Sequence, residues 1–347
     1  MLFSTLASMM RPLVVHALWA TGLLVVAVLA GTAIGETSIS LGTVLQVIAN
    51  KLWNAGYLLD PIDTGIVWSY RLPRALVAAA CGAGLAVSGV VLQSMLRNPL
   101  ADPYLLGISA GASTGAVLVS IVGLGAGLIS LSAGAFLGAL TAFALVALLA
   151  HSARAGRGTG QIILAGIAGS QLFNALTSFL ITQSANAEQA RGILFWLLGN
   201  LSGVRWPAVA LALPVALGGL AVTLWHRRAL DAFTFGADSA AALGIAVRRI
   251  QVLLIASMAL VTAVMVSLVG SIGFVGLVIP HAVRLWVGVR HTRLVPLSAL
   301  SGALFLIAAD VLSRTVLKGQ VLPIGVITAL VGAPVFALIL LRGRPPR

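Results

Sequence analysis

From Pro103 to Ala153 the chain runs for 51 residues without a single Asp, Glu, Lys or Arg. A membrane-crossing helix needs roughly 20 apolar residues, so this one run holds two crossings. It breaks at Gly123-Leu124-Gly125-Ala126-Gly127, where glycine disfavours helix and marks a turn. A charged side chain at mid-membrane costs about 2.5–3.5 kcal/mol, so other charge-free windows mark other spans. They are Pro12–Gly35, Ala75–Leu96, Ile162–Gln183, Pro207–His226, Ile250–Gly270 and Val321–Leu341; two further apolar windows, Ile272–Val289 and Leu294–Ser313, hold one charge each, Arg284 and Asp310, and with the two halves of the long run the total is ten. Composition agrees: 60% of the residues are hydrophobic and 8% are charged, against about 25% charged in a soluble domain. The expectation is one all-α integral membrane domain over residues 1–347.

Ten spans put both termini on one side. With that side cytoplasmic, thirteen Lys and Arg fall inside and seven outside, Arg284 being ambiguous; the bias supports termini in the cytoplasm. Val28-Leu29-Ala30 imitates a signal-peptidase site. The uncharged run around it is longer than a signal-peptide core of about 7–15 residues, so we expect an uncleaved first span. Leu41–Asp63 is expected as an external, partly helical segment. Residues 192–203, with Trp196 and Trp206 near the ends, are expected as a helix lying at the outer interface.

The net charge of +13 is a membrane signature here and not a nucleic-acid one, because no basic run is interleaved with aromatics. Cys81, the single cysteine, is expected as a small packing residue. Gly107, Gly111 and Gly115, like Gly134 and Gly138, recur every four residues and let helices approach closely. Two overlapping G-x-S-x-G matches at Gly107–Gly115 lie in that stripe with no strand before them. They carry no hydrolase reading, nor does His281 as a base. The histidines show no metal-binding spacing; His151, His226 and His291 are expected as solvated residues near cytoplasmic span ends. Lys51 precedes Leu and Lys318 precedes Gly, so neither completes a phosphate-binding loop; any ATP is bound by another chain. No catalytic residue, metal site or cofactor is expected.

The longest cytoplasmic loop, 226–249, sets apolar Leu230, Phe233, Phe235 and Leu243 beside Asp231 and Asp238. Apolar residues in a polar loop suggest a partner surface. Polar residues within a span face protein or a cavity, which makes Gln171, Asn174, Thr177, Ser178 and Gln183 candidates for lining a translocation path.

Five blocks, in order, carry a resemblance. Arg71-Leu72-Pro73-Arg74 leads through GAGLAVSGVVLQ (Gly82–Gln93) into RNPLADPYLLGISAGA (Arg97–Ala112). FWLLGNLSG (Phe195–Gly203), FVGLVIPHAVR (Phe274–Arg284) and LPIGVITALVGAPVF (Leu322–Phe336) follow. Together the chain resembles the permease family of bacterial ABC importers for iron-siderophores, haem and cobalamin. The resemblance implies a ten-span bundle of the type II ABC importer permease type, in the bacterial inner membrane. It implies a second permease subunit, identical or a paralogue, two ATPase subunits and a periplasmic substrate-binding protein, with alternating access as the mechanism. In the 226–249 loop it implies short coupling helices against the ATPase, involving Leu230, Phe233, Phe235, Asp238, Ala240, Leu243 and Gly244. It also implies that Arg71, Arg74 and Arg314 grip carboxylates of the binding protein, for which the guanidinium fork is suited. The rival reading is an ion-coupled secondary transporter. It lacks a mid-membrane carboxylate, since Asp102 and Asp310 both lie towards span ends.

Overall fold

Small side chains crowd the stretch from Ala75 to Gly89, and a helix built of them lets its neighbours come backbone to backbone. In the computed structural model this stretch is the central column of a helical bundle. The structure describes residues 2–152, 159–183, 186–317 and 319–342, and no strand occurs among them. In chain order the first helices are α1 (Leu2–Ala33), α2 (Leu41–Trp53), α3 (Pro61–Gly65), α4 (Leu72–Met95) and α5 (Ile108–Ser120). Next come α6 (Leu131–Ser152), α7 (Thr159–Thr182), α8 (Ala187–Leu197), α9 (Trp206–Trp225) and α10 (Arg227–Phe233). The last are α11 (Ala237–Ala242), α12 (Val247–Val269), α13 (Val275–Val287), α14 (His291–Thr315) and α15 (Ile324–Arg342). A π-helical stretch, Ile66–Arg71, joins α3 to α4, and a 3-10 turn, Pro103–Leu106, precedes α5.

α4 is buried along nearly its whole length, ringed by α9, α12, α13 and α14. Gly82 faces the carbonyl of Gly302 on α14 and Gly89 that of Gly276 on α13, so a methyl group at either position would overlap the neighbouring backbone. α5 and α6 meet through the small-residue stripe, Gly111 and Gly115 against Gly138 and Gly134. Gly107 leaves that stripe. It stands at φ +76° between the 3-10 turn and α5, a left-handed conformation that glycine adopts without strain.

Each of the ten apolar windows contains a helix. α4 with its lead-in, α6, α7, α9, α12 and α14 are long and apolar enough to cross a bilayer; the described apolar part of α1, and α5, α13 and α15, are shorter. Arg154, Arg157, Lys318, Arg344 and Arg347, which enter the inside–outside count, lie outside the described residues.

α5 and α13 have 13 residues each, about 20 Å of helix against a hydrocarbon core of about 30 Å. Unwound backbone supplies the rest, and the two unwound segments are tied to each other. The Tyr104 hydroxyl donates to the carbonyl of Ile272 (3.0 Å) and accepts from its N–H (2.9 Å), while the hydroxyls of Ser109 and Ser271 lie 2.5 Å apart. Asn200 N–H donates to Val269 (2.7 Å), and Ile324 N–H and Gly325 N–H donate to the carbonyls of Gly199 and Leu198. Non-helical backbone at membrane depth persists only where its polar groups are satisfied inside the protein, as they are here.

The helix expected over 192–203 runs instead over Ala187–Leu197, started by Asn186, whose side-chain oxygen accepts from the N–H groups of Glu188 and Gln189. It ends because Gly199 turns to φ +83° and docks its backbone against Ser271 and Gly325.

Candidate functional site

At one end of the bundle three arginines converge on α1 and α14. Arg71 is 7% exposed. Its fork donates to the carbonyl of Ala33 (2.8 Å) and to both the carbonyl (2.6 Å) and hydroxyl (2.9 Å) of Thr37. Arg74 Nε donates to Asp310 Oδ1 at 2.6 Å, and Nη1 to the hydroxyl of Ser202 at 3.1 Å. Arg314 Nε donates to Asp310 Oδ2 at 3.2 Å, with Nη2 3.0 Å from the same oxygen, while Nη1 donates to the carbonyl of Ile34 (2.9 Å) and Nη2 to that of Gly31 (2.6 Å). Asp310, 1% exposed, thus receives one arginine on each oxygen. A buried carboxylate is tolerable only when paired in this way. The three sequence candidates are brought together, each already holding partners within the chain. Nearby, Arg205 lies 4.0 Å over the Tyr70 ring, and Trp206 Nε1 donates to the carbonyl of Trp68.

At the other end the 226–249 loop folds into α10 and α11, separated by Gly236 at φ +109°. Leu230, Phe233 and Ala240 are buried, while Phe235, Asp238, Leu243 and Gly244 are exposed. The buried trio seats the loop on the bundle and leaves the second set free. A latch joins α10 to the bundle. Asp231 Oδ1 accepts from the backbone N–H of His291 (2.9 Å) and from its ring Nδ1 (2.7 Å). The other ring nitrogen, Nε2, lies 2.6 Å from the hydroxyl of Ser94 on α4. His291, expected as a solvated residue, is 1% exposed. The correction is physical: both ring nitrogens have partners, so the imidazole needs no water. Beside the latch a cavity of about 350 Å³ is lined by Gln93, Arg97, Thr234, Arg284 and His291.

On α7, Gln171, Asn174 and Ser178 are exposed and share one face by their spacing of three and four residues. Leu172, Leu176 and Phe179 occupy the adjoining exposed face. Thr177 turns inward, its hydroxyl 2.7 Å from that of Thr114 on α5, and Gln183 is exposed in the turn that follows α7. A cavity of about 340 Å³ opens between Gly166, Ile167, Ser170 and Gln171 and the segment Asp102, Tyr104 and Leu105. The Asp102 carboxylate accepts from the Tyr104 N–H at 2.8 Å.

Sequence reasoning did not find the Asp231–His291–Ser94 latch, because its members are far apart in the chain and each is ordinary alone. Asp310 carried a readable signal: a lone acid inside an apolar window requires a cation nearby.

A family model described as the FecCD transport family matches residues 23–342. The chain is 44% identical to the cobalamin import system permease protein BtuC of Halobacterium salinarum, over 81% of this chain and 74% of that protein. It is 40% identical to the ABC transporter permease protein YvrB of Bacillus subtilis, itself uncharacterized, over 92% and 91%. It is 37% identical to the vitamin B12 import system permease protein BtuC of Vibrio cholerae, over 86% and 90%. Among solved structures, it superposes with TM-score 0.81 and 31% identity on an ABC transporter assigned to the metal-chelate type, in an inward-facing conformation, covering 94% of this chain and 98% of that one.

Proposed function

We propose that this chain, which belongs to the FecCD transport family, lines the path by which an importer carries a cobalamin-type metal chelate across the membrane. Family membership makes the chain the permease subunit of an ABC importer, and such permeases work with a second permease subunit and ATPase subunits. The cargo reading rests on one observation: relatives named for cobalamin or vitamin B12 import match it at 44% and 37% identity along most of its length. Ferric siderophores and haem, which share the size and polarity of a bulky chelate, are the competing cargoes.

The roles follow from the geometry. The exposed polar stripe Gln171, Asn174 and Ser178 borders the path, facing its counterpart on the second subunit, because exposed amides on an otherwise apolar helix belong in water rather than lipid. Thr177 holds α7 to α5 behind that stripe, and Gln183 stands at the rim. Phe235, Asp238, Leu243 and Gly244 meet one of two ATPase subunits on the cytoplasmic side, where both termini lie in this reading. Leu230, Phe233 and Ala240 transmit the push into the bundle, and the Asp231–His291–Ser94 latch passes it to α14 and α4. Arg71, Arg74 and Arg314 mark the periplasmic end. Docking there requires carboxylates of a binding protein to exchange with Asp310 and the α1 carbonyls, with Arg74, the least buried, exchanging first.

The test is ATP-driven uptake into proteoliposomes holding the whole complex, with labelled cobalamin, ferric siderophore and haem offered in turn through the cognate binding protein. Cobalamin uptake is the expected result. Uptake of a siderophore or haem with none of cobalamin overturns the cargo reading.

A further inference from the structure

α2 and the loop after it form an apolar surface that none of the described residues covers. Leu41, Leu45, Ile48 and Leu52 follow one another at intervals of four, three and four, which places them on one helix face. Leu41, Leu45 and Leu52 are 51%, 48% and 58% exposed, and beyond them Trp53, Leu58 and Ile62 are 73%, 102% and 71% exposed.

These side chains stand on a built framework. Ser40 starts α2 by accepting from Thr43 N–H, and Asn54 ends it in the left-handed conformation. The Asn50 carboxamide then clamps the returning loop, donating to the Tyr57 carbonyl (2.8 Å) and accepting from its N–H (2.9 Å). Asp60 starts α3 by accepting from Ile62 N–H. Ordered backbone therefore holds exposed apolar groups outward.

The depth of α2 is set by its other face. Val44 and Val47, fully buried, pack with Ile39 and Val67 against Leu29 and Ala33 of α1 and Ile66 and Trp68 of the π-helical stretch. α2 thus lies where two spans leave the hydrocarbon. α1, on which it packs, is also apolar and exposed at Val25 and Val26, as is Ile34 just beyond its end. Between Leu41 and Ile62 the only charged residues are Lys51 and Asp60. A protein partner recognised by arginine pairs would find no charge to read on the leucine stripe, whereas a lipid interface needs none.

We infer that α2 and the 53–62 loop form an in-plane anchor, seated in the headgroup and upper acyl region at the Arg71 end. Leucines point into the acyl chains, and Trp53 and Tyr57 sit at the headgroup level that indole and phenol rings favour. The anchor would clamp α1, the span that Arg71 and Arg314 hold by its last carbonyls, against tilting. The inference does not depend on the cargo.

The experiment uses the full chain, Cys81→Ser, reconstituted in phosphatidylcholine vesicles. Single cysteines replace Leu45, Leu52, Leu58 or, as the control, Gln46, and carry an environment-sensitive fluorophore. Labels at the three leucine positions should emit to the blue of the Gln46 label and be quenched by lipid bearing a spin label near the carbonyl. Each labelled variant should keep the far-UV circular dichroism and unfolding midpoint of the unlabelled chain, which reports that the fold is intact. Water-like emission at the leucine positions overturns the anchor. Blue emission there that spin-labelled lipid fails to quench also overturns it, because the face then meets protein.

Discussion

Asp310 holds two guanidinium groups at once, one on each carboxylate oxygen, at 1% exposure. Removing one partner of a buried charge set strands the others, at a typical cost of about 3–5 kcal/mol. Asp310→Ala should therefore lower the thermal unfolding midpoint in detergent far more than Asp60→Ala, which alters an exposed cap.

At the scale of elements, the two half-length helices depend on each other. Tyr104 both donates to and accepts from the peptide of Ile272, so the turn that starts α5 and the segment that starts α13 share one hydroxyl. Tyr104→Phe keeps the ring and removes both bonds. Leaving a buried peptide unsatisfied costs about 1–3 kcal/mol. A drop of that size should appear in stability, and amide hydrogen exchange should rise at 270–275 before it rises in α4. Unchanged protection there would mean that the Ser109–Ser271 and Gly199 contacts hold the break without Tyr104.

For the whole molecule, the ten-span reading of the sequence places α10 and α11 on the side opposite α2. Single cysteines at Arg228 and Arg290, in a Cys81-free background, should be shielded in intact cells from an impermeant thiol reagent that labels Asn54→Cys. Labelling of Arg228→Cys from outside would invert the orientation. The membrane class, the helical content and the ten apolar windows were legible in the chain itself, because lipid solvates side chains one residue at a time and a charge-free run of sufficient length has few other uses. The small-residue stripe on α5 and α6 was legible for the same local reason, since spacing on one helix decides which residues share a face. What only the tertiary structure decided were pairings between distant elements: Asp310 with Arg74, Asp231 with His291 and Ser94, and Tyr104 with Ile272. Each polar group in an apolar interior must find a partner, but any of several helices offers one, and packing chooses among them. The same indeterminacy placed His291 out of water, where its position near a span end had read as solvated.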